Sequence, residues 1–164
     1  MYELEPDTKA SVRILIAEDN VMNQKVVTKI LHKIGFRSTM ANNGQEAVDI
    51  YVSAALEGKP FDLILMDLQM PVMDGLMSTR KILEYCASDR NKDGFTPFIV
   101  ALTADVASSV VEECKSCEMH GFISKPIKRD KLMDLLEEVC SWVAEGRVAT
   151  RKRNFFATPH GLCA

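Results

Sequence analysis

FDLILMDLQMPVMDG, residues 61–75, decides how the rest of the chain is read. Its first part, Phe61–Met66, is apolar nearly throughout, as a strand covered on both faces must be. The run stops on a carboxylate, Asp67, and Pro71 and Asp74-Gly75 then supply turn chemistry. Working outward, four more short runs have strand character: Val12–Ala17, Arg37–Ala41, Phe98–Leu102 and Phe122–Ser124. Between the runs the apolar spacing becomes helical. Val27, Ile30, Leu31 and Ile34 form one stripe, closed by Gly35, and Ala47, Ile50, Tyr51 and Ala54 form another. Thr79, Ile82, Leu83 and Cys86 make the third, Val110, Val111, Cys114 and Cys117 the fourth, and Leu132, Leu135, Leu136, Val139 and Val143 the fifth. Strand and helix alternate five times, which predicts an α/β domain with a parallel sheet and helices on both faces.

The chain has 164 residues, 47% hydrophobic and 26% charged, enough for one sizeable core. Residues 1–11 are polar and read as a linker, 12–143 as the domain, and 144–164 as a flexible basic tail. That tail holds Arg147, Arg151, Lys152 and Arg153, with Arg151–Arg153 a solvated run in preference to a nucleic-acid or localisation patch, and two aromatics, Phe155 and Phe156, which the pattern leaves exposed, to dock elsewhere or to belong to a continuation. Ser88–Thr96 reads as a long polar loop. A net charge of −3 gives no global field to recruit nucleic acid. No apolar run is long enough to span a bilayer, and the N-terminus lacks the layout of a signal peptide, so the expected location is cytoplasmic. The five cysteines are odd in number and sit in apolar surroundings, as reduced thiols do. Cys114 and Cys117 form a single CxxC, which on a helix shares one packed face rather than holding zinc.

In open parallel sheets ligands bind beyond the carboxyl ends of the strands. The first strand runs into Glu18-Asp19, the third into Asp67, the fourth into Thr103 and the last into Lys125-Pro126, while the second contributes nothing obvious. Each residue alone has a plain explanation. Asp19 or Asn20 could cap a helix, Asp67 and Asp74 could be turn residues, Thr103 could cap the fourth helix, and Lys125 could be a surface lysine. Together those explanations do not say why three carboxylates, a hydroxyl and an ammonium share one edge. Clustered carboxylates repel and call for a cation. Mg²⁺ takes oxygen ligands, typically one or two carboxylates plus phosphate and water. A lysine pairs with carboxylate or phosphate as a compact charge, and a threonine hydroxyl donates to a phosphoryl oxygen. One carboxylate oxygen then remains to attack phosphorus.

ILIAEDN at 14–20, LILMDLQMPVMDG at 63–75, ALTA at 101–104 and GFISKP at 121–126 together resemble the receiver domain of two-component response regulators, most closely the type fused to hybrid sensor histidine kinases. The resemblance covers residues 12–143. It implies a flavodoxin-like, doubly wound five-stranded parallel sheet in the order 2-1-3-4-5 with five helices. It implies Asp67 as phosphoacceptor, Glu18 and Asp19 as the acidic pair for Mg²⁺, and the backbone carbonyl of Gln69 as a further ligand. Thr103 corresponds to the switch hydroxyl, Lys125 to the family's lysine before a cis Pro126, and Phe122 to an aromatic whose rotamer follows phosphorylation. Gln69 and Asp105 stand where the family tunes hydrolysis. The implied partner is a histidine-phosphorylated domain, either a kinase or a phosphotransfer protein. The fourth helix, fifth strand and fifth helix form the surface that changes, with a homodimer through it as one option. The segment promotes its own phosphorylation and dephosphorylation, and carries no kinase ATP-binding region; the parent would be a hybrid kinase or a stand-alone regulator. Three other functions compete. A dehalogenase-type phosphohydrolase wants an acid two residues after the nucleophile, where Gln69 stands. A flavin or nucleotide module wants a Gly- or Ser/Thr-rich phosphate loop where Glu18-Asp19-Asn20 stands. The last is a pure interaction module with an inert acceptor.

Overall fold

Alternation of side chains along each strand explains why the strands read as almost wholly apolar. In the computed structural model, which describes residues 5–147 and 155–157, the sheet has helices on both faces, so both sets of strand side chains are buried. Ile14 and Ile16, Leu63 and Leu65, and Phe98, Val100 and Leu102 enter one core. Leu15 and Ala17, Ile64 and Met66, and Ile99 and Ala101 enter the other. The strands are β1 (Ile14–Ala17), β2 (Ser38–Ala41), β3 (Leu63–Asp67), β4 (Phe98–Thr103) and β5 (Gly121–Ser124). They are all parallel, in the order β2-β1-β3-β4-β5. The predicted flavodoxin-like order is therefore the observed one.

The helices are α1 (Pro6–Ser11), α2 (Val21–Lys33), α3 (Gly44–Leu56), α4 (Gly75–Ala87), α5 (Ser108–Ser116) and α6 (Arg129–Ala144). Val27 and Leu31 of α2 and Leu132, Leu135, Leu136 and Val139 of α6 cover the first core. Ala47 and Tyr51 of α3, Ile82 and Tyr85 of α4 and Cys114 of α5 cover the second. Short polar side chains start three helices. Asn20 accepts from the amides of Met22 and Asn23, Asn43 from that of Glu46, and Asp74 from that of Met77.

Six helices stand among the described residues where five were expected. The additional one, α1, occupies part of the stretch read as a linker. Pro6 presets its first turn, Asp7 lies near its N-terminus and Lys9 near its C-terminus. None of its residues is buried, and six residues are too few to show an apolar stripe, so periodicity could not reveal it. It packs beside α6. A second difference lies beyond α6. Phe155–Ala157 form a 3₁₀ turn, and Phe155 is buried rather than exposed. Arg147, also assigned to the tail, pairs through Nε with Oδ1 of the buried Asp62 at 2.7 Å. The other oxygen of Asp62 accepts from the amide of Arg13 at 2.8 Å. Arg151–Arg153 lie outside the described residues.

Candidate functional site

The chain leaves β1 in one direction for β2 and reaches β3 on the other side, so the loops after β1 and β3 part and leave a crevice at the carboxyl edge. Register decides what lines it. Ala17 pairs with Met66, which brings Glu18 level with Asp67. Asp67 pairs with Leu102, placing Thr103 one step further on, and Thr103 pairs with Ser124, placing Lys125 one step beyond that. Glu18, Asp19, Asn23, Asp67, Gln69, Thr103, Asp105 and Lys125 are among the residues that line a cleft of about 270 Å³. A second hollow of about 530 Å³ adjoins it, between the Met70–Asp74 loop and α5.

The electrostatics of the cleft are unbalanced. Glu18 and Asp67 are 1% and 5% exposed, whereas Asp19 reaches solvent. Lys125 Nζ lies 2.8 Å from Glu18 Oε2 and 3.1 Å from Asp67 Oδ2. The amide of Asn20 donates to Glu18 Oε1 at 3.1 Å, and the amide of Gln69 donates to Asp67 Oδ1 at 3.2 Å. Burial and the neighbouring Glu18 push the Asp67 carboxyl up to about 6, against the pull of Lys125 and the Gln69 amide. Burial draws the Lys125 ammonium down, but its pairing with Glu18 and Asp67 outweighs that and leaves it above its usual value. One ammonium faces three carboxylates, so two negative charges stay unmatched.

Glu18, Asp19 and Asp67 can each offer an oxygen within 4.8 Å of the other two, close enough for one small cation to draw them together. Three hard oxygen donors, an open cleft and surplus negative charge fit Mg²⁺. Among the described residues this is the one group of three or more acidic, histidine or cysteine side chains with that geometry. Cys114 and Cys117 are both buried free thiols and pack with the second core.

Thr103 is buried at the cleft wall, but its hydroxyl is engaged inside its own loop. It donates to the carbonyl of Asp105 at 2.9 Å and accepts from the Asp105 amide at 3.0 Å. It does not cap α5, which begins without a side-chain cap; Asp105 Oδ1 accepts from the amide of Ala107. The Lys125–Pro126 bond is cis, as the resemblance implies. Phe122 is buried, with its ring 6.1 Å from that of Phe156. Asp74, one of the possible turn residues, caps α4.

Two supports of the site went unread in the sequence. Gln24 Nε2 donates to the backbone carbonyl of Glu18 at 2.6 Å and to Asn42 Oδ1 at 2.8 Å. Asn42 in turn donates to Glu46 Oε1 at 3.1 Å, so this chain of bonds ties the acidic loop to α3. The signal was its place one helical turn after the cap Asn20, on the side facing the strand end. Gly75 is the second. A Cβ there would collide with the backbone carbonyl of Asp67, so only glycine lets α4 start this close to the end of β3.

Residues 14–137 match the response regulator receiver domain family. The osmosensing histidine protein kinase SLN1 of Saccharomyces cerevisiae is 42% identical over 134 residues, which are 81% of this chain and 10% of that kinase. The chain thus spans about a tenth of the length of that curated relative. Among solved structures, the receiver domain of the sensor histidine kinase PA1611 of Pseudomonas aeruginosa, with a magnesium ion coordinated in its active-site cleft, is 32% identical. It aligns over 80% of this chain and 99% of its own with a TM-score of 0.66. A co-crystal of the S. cerevisiae phosphotransfer protein Ypd1 with the receiver domain of the response regulator Ssk1 aligns over 85% of this chain and 93% of its own, at 28% identity and a TM-score of 0.65. With a matching family profile, the observed sheet order and the acidic cleft at the β1/β3 crossover all in agreement, this chain belongs to the response regulator receiver domain family.

Proposed function

We propose that this chain accepts a phosphoryl group from a phosphohistidine onto Asp67 in a Mg²⁺-dependent reaction. The observation that carries the reading is the placement of Asp67 on a cleft floor, between the Lys125 ammonium 3.1 Å away and two further carboxylates. Glu18, Asp19, Asp67 and the backbone of Gln69 would hold the ion. When bound, Mg²⁺ supplies positive charge to the phosphoryl oxygens and screens the carboxylates from one another. An Asp67 oxygen attacks phosphorus in line, forming a P–O bond as the P–N bond to the donor imidazole breaks; the electron pair leaves with the imidazole. Lys125 follows the negative charge onto the phosphoryl group. The Thr103 hydroxyl gives up Asp105 and donates to a phosphoryl oxygen, and Phe122 responds to that movement. No acid stands two residues after Asp67 to protonate a leaving alcohol, so phosphomonoester hydrolysis lacks its proton donor.

Mixing the protein with Mg²⁺ and acetyl phosphate should add one phosphoryl group by mass, and Asp67→Asn should abolish the addition. Equal labelling of the variant would refute the assignment.

The partner is a histidine-phosphorylated domain. Val21, Met22 and Val26 on α2, which follows the acidic loop, with Val72 and Val106 on the loops after β3 and β4, are exposed apolar side chains on the elements that leave the cleft edge. Val72 holds a left-handed backbone (φ 68°), which is costly for a β-branched residue and keeps its side chain in solvent. A helical donor with an apolar surface beside its histidine fits this rim. The α5–β5–α6 face is the output surface, and self-association through it belongs to the same reading. We place the unit, spanning residues 12–143, in the cytoplasm as the receiver portion of a hybrid histidine kinase. No described helix is long and apolar enough to cross a membrane.

A further inference from the structure

Phe155 and Phe156 stand outside the strand–helix alternation, yet they are built into the fold. Phe155 is 2% exposed. Its amide donates to the His120 carbonyl at 2.7 Å, at the start of β5. Its ring lies 5.2 Å from that of Phe98, which meets Trp142 edge-on at 4.8 Å. Gly121 makes room for it, since a Cβ there would come within 2.9 Å of Phe155 Cβ. Phe156 turns to the opposite layer. Its ring lies 6.1 Å from that of Phe122, and Lys115 Nζ sits 5.5 Å from its centroid. Two adjacent aromatics thus enter the two cores on either side of the sheet. The segment lies against β5, the last strand of the sheet, whose outer edge would otherwise offer unpaired backbone groups.

We propose that Phe155–Phe156 is an internal ligand of the β5 edge, held at rest and released when Asp67 is phosphorylated. The proposal rests on the phosphoacceptor reading above. The link runs through Phe122. Ala101 pairs with Phe122 and Thr103 with Ser124, so the side chain that Phe156 packs on sits beside the strand end that carries the switch hydroxyl. At rest that hydroxyl is held by Asp105. When it turns to the phosphoryl group it vacates space next to β5, and the Phe122 ring moves into it. Phe156 then loses its aromatic wall and Phe155 its neighbour in the turn. The output face consequently opens only in the phosphorylated state. Any partner of that face, including a second copy of the chain, has to displace this segment first.

Hydrogen exchange of the Phe155 amide, read by mass spectrometry on the full 164-residue chain, tests the coupling. At rest the amide should be protected, and with Mg²⁺ and acetyl phosphate its exchange should speed up about tenfold or more. Asp67→Asn under the same conditions should show no change. Phe156→Ala should be phosphorylated as well as the parent but exchange quickly in both states. A chain that gains the phosphoryl group by mass yet keeps Phe155 equally protected overturns this proposal and leaves the acceptor reading intact. An amide unprotected at rest also overturns it. A chain that gains no phosphoryl group sinks the acceptor reading, and the coupling falls with it.

Discussion

Asp67→Asn should stabilise the metal-free protein at neutral and alkaline pH, although it should remove phosphorylation. The Asp67 carboxyl is raised from 3.8 to about 6, by burial first and by Glu18 second. A folded-state value above the unfolded one means the native state favours the protonated form. That contribution is fully present below about 3.8 and is lost as the pH rises through about 6. At ~1.4 kcal/mol per pH unit between the two values, ionising Asp67 costs the fold ~3 kcal/mol at pH 8 and under ~1 kcal/mol at pH 4. Water in the cleft screens part of this, so the difference between the two pH values should be about 2 kcal/mol. Asparagine has no such titration. Urea unfolding in EDTA, followed by the fluorescence of the buried Trp142, should therefore show the variant gaining on the parent by ~2 kcal/mol between pH 4 and pH 8. Using the pH-dependent part alone cancels any fixed difference between an amide and a carboxylic acid. Saturating Mg²⁺ at pH 8 should narrow the gap, because the parent binds the ion more tightly and is stabilised by mass action. A variant that tracks the parent across the whole range, or loses on it towards pH 8, would show that the carboxylates are not in conflict and that the charge argument is wrong.

Three further outcomes follow from the same geometry. Gln24→Met keeps the side-chain volume but removes the donor to the Glu18 carbonyl; the Mg²⁺ concentration for half-maximal thermal stabilisation should rise about tenfold while the melting temperature in EDTA changes little. Equal loss in both conditions would mean a purely structural role. Gly75→Ala forces a methyl against the Asp67 carbonyl; it should cost ~1–3 kcal/mol or more in urea unfolding and slow acetyl phosphate labelling, and a neutral effect on both would refute the close approach. Asp62→Ala strands the half-exposed Arg147 and the Arg13 amide and should cost ~1–2 kcal/mol in the same assay, whereas Arg147→Ala leaves the buried Asp62 carboxylate without its cation and should cost at least as much; a neutral Arg147→Ala would refute the pairing.

The parts of this molecule visible in the sequence were those written in short-range pattern. Leu63–Met66 and Phe98–Leu102 are apolar without alternation because both faces are covered, and that alone separates a central parallel strand from an edge hairpin. Strand ends were equally legible, since a polar residue directly after such a run has to emerge at the sheet's rim. Elements made by tertiary fit were not legible. Six residues of α1 cannot display a period, and Phe155 is buried only because Gly121, far away in the chain, lacks a side chain. Nor could spacing tell that Glu18 is buried and Asp19 exposed, although the two are adjacent and both acidic.

That last difference matters most for the chemistry. A buried Glu18 holds Lys125 at 2.8 Å, which keeps the ammonium poised over Asp67 rather than in solvent. The exposed Asp19 can swing to a cation arriving from the cleft mouth. Lys125 cannot neutralise both buried carboxylates, so the remaining charge either raises the proton affinity of Asp67 or is offset by a divalent ion. On the proposed phosphoacceptor role, a divalent ion would favour the ionised form of Asp67 for an electrostatic reason that precedes any contact with phosphate. The stability cost of an ionised Asp67 and the affinity of the cleft for Mg²⁺ are two readings of the same uncompensated charge, and a change that removes one should remove the other.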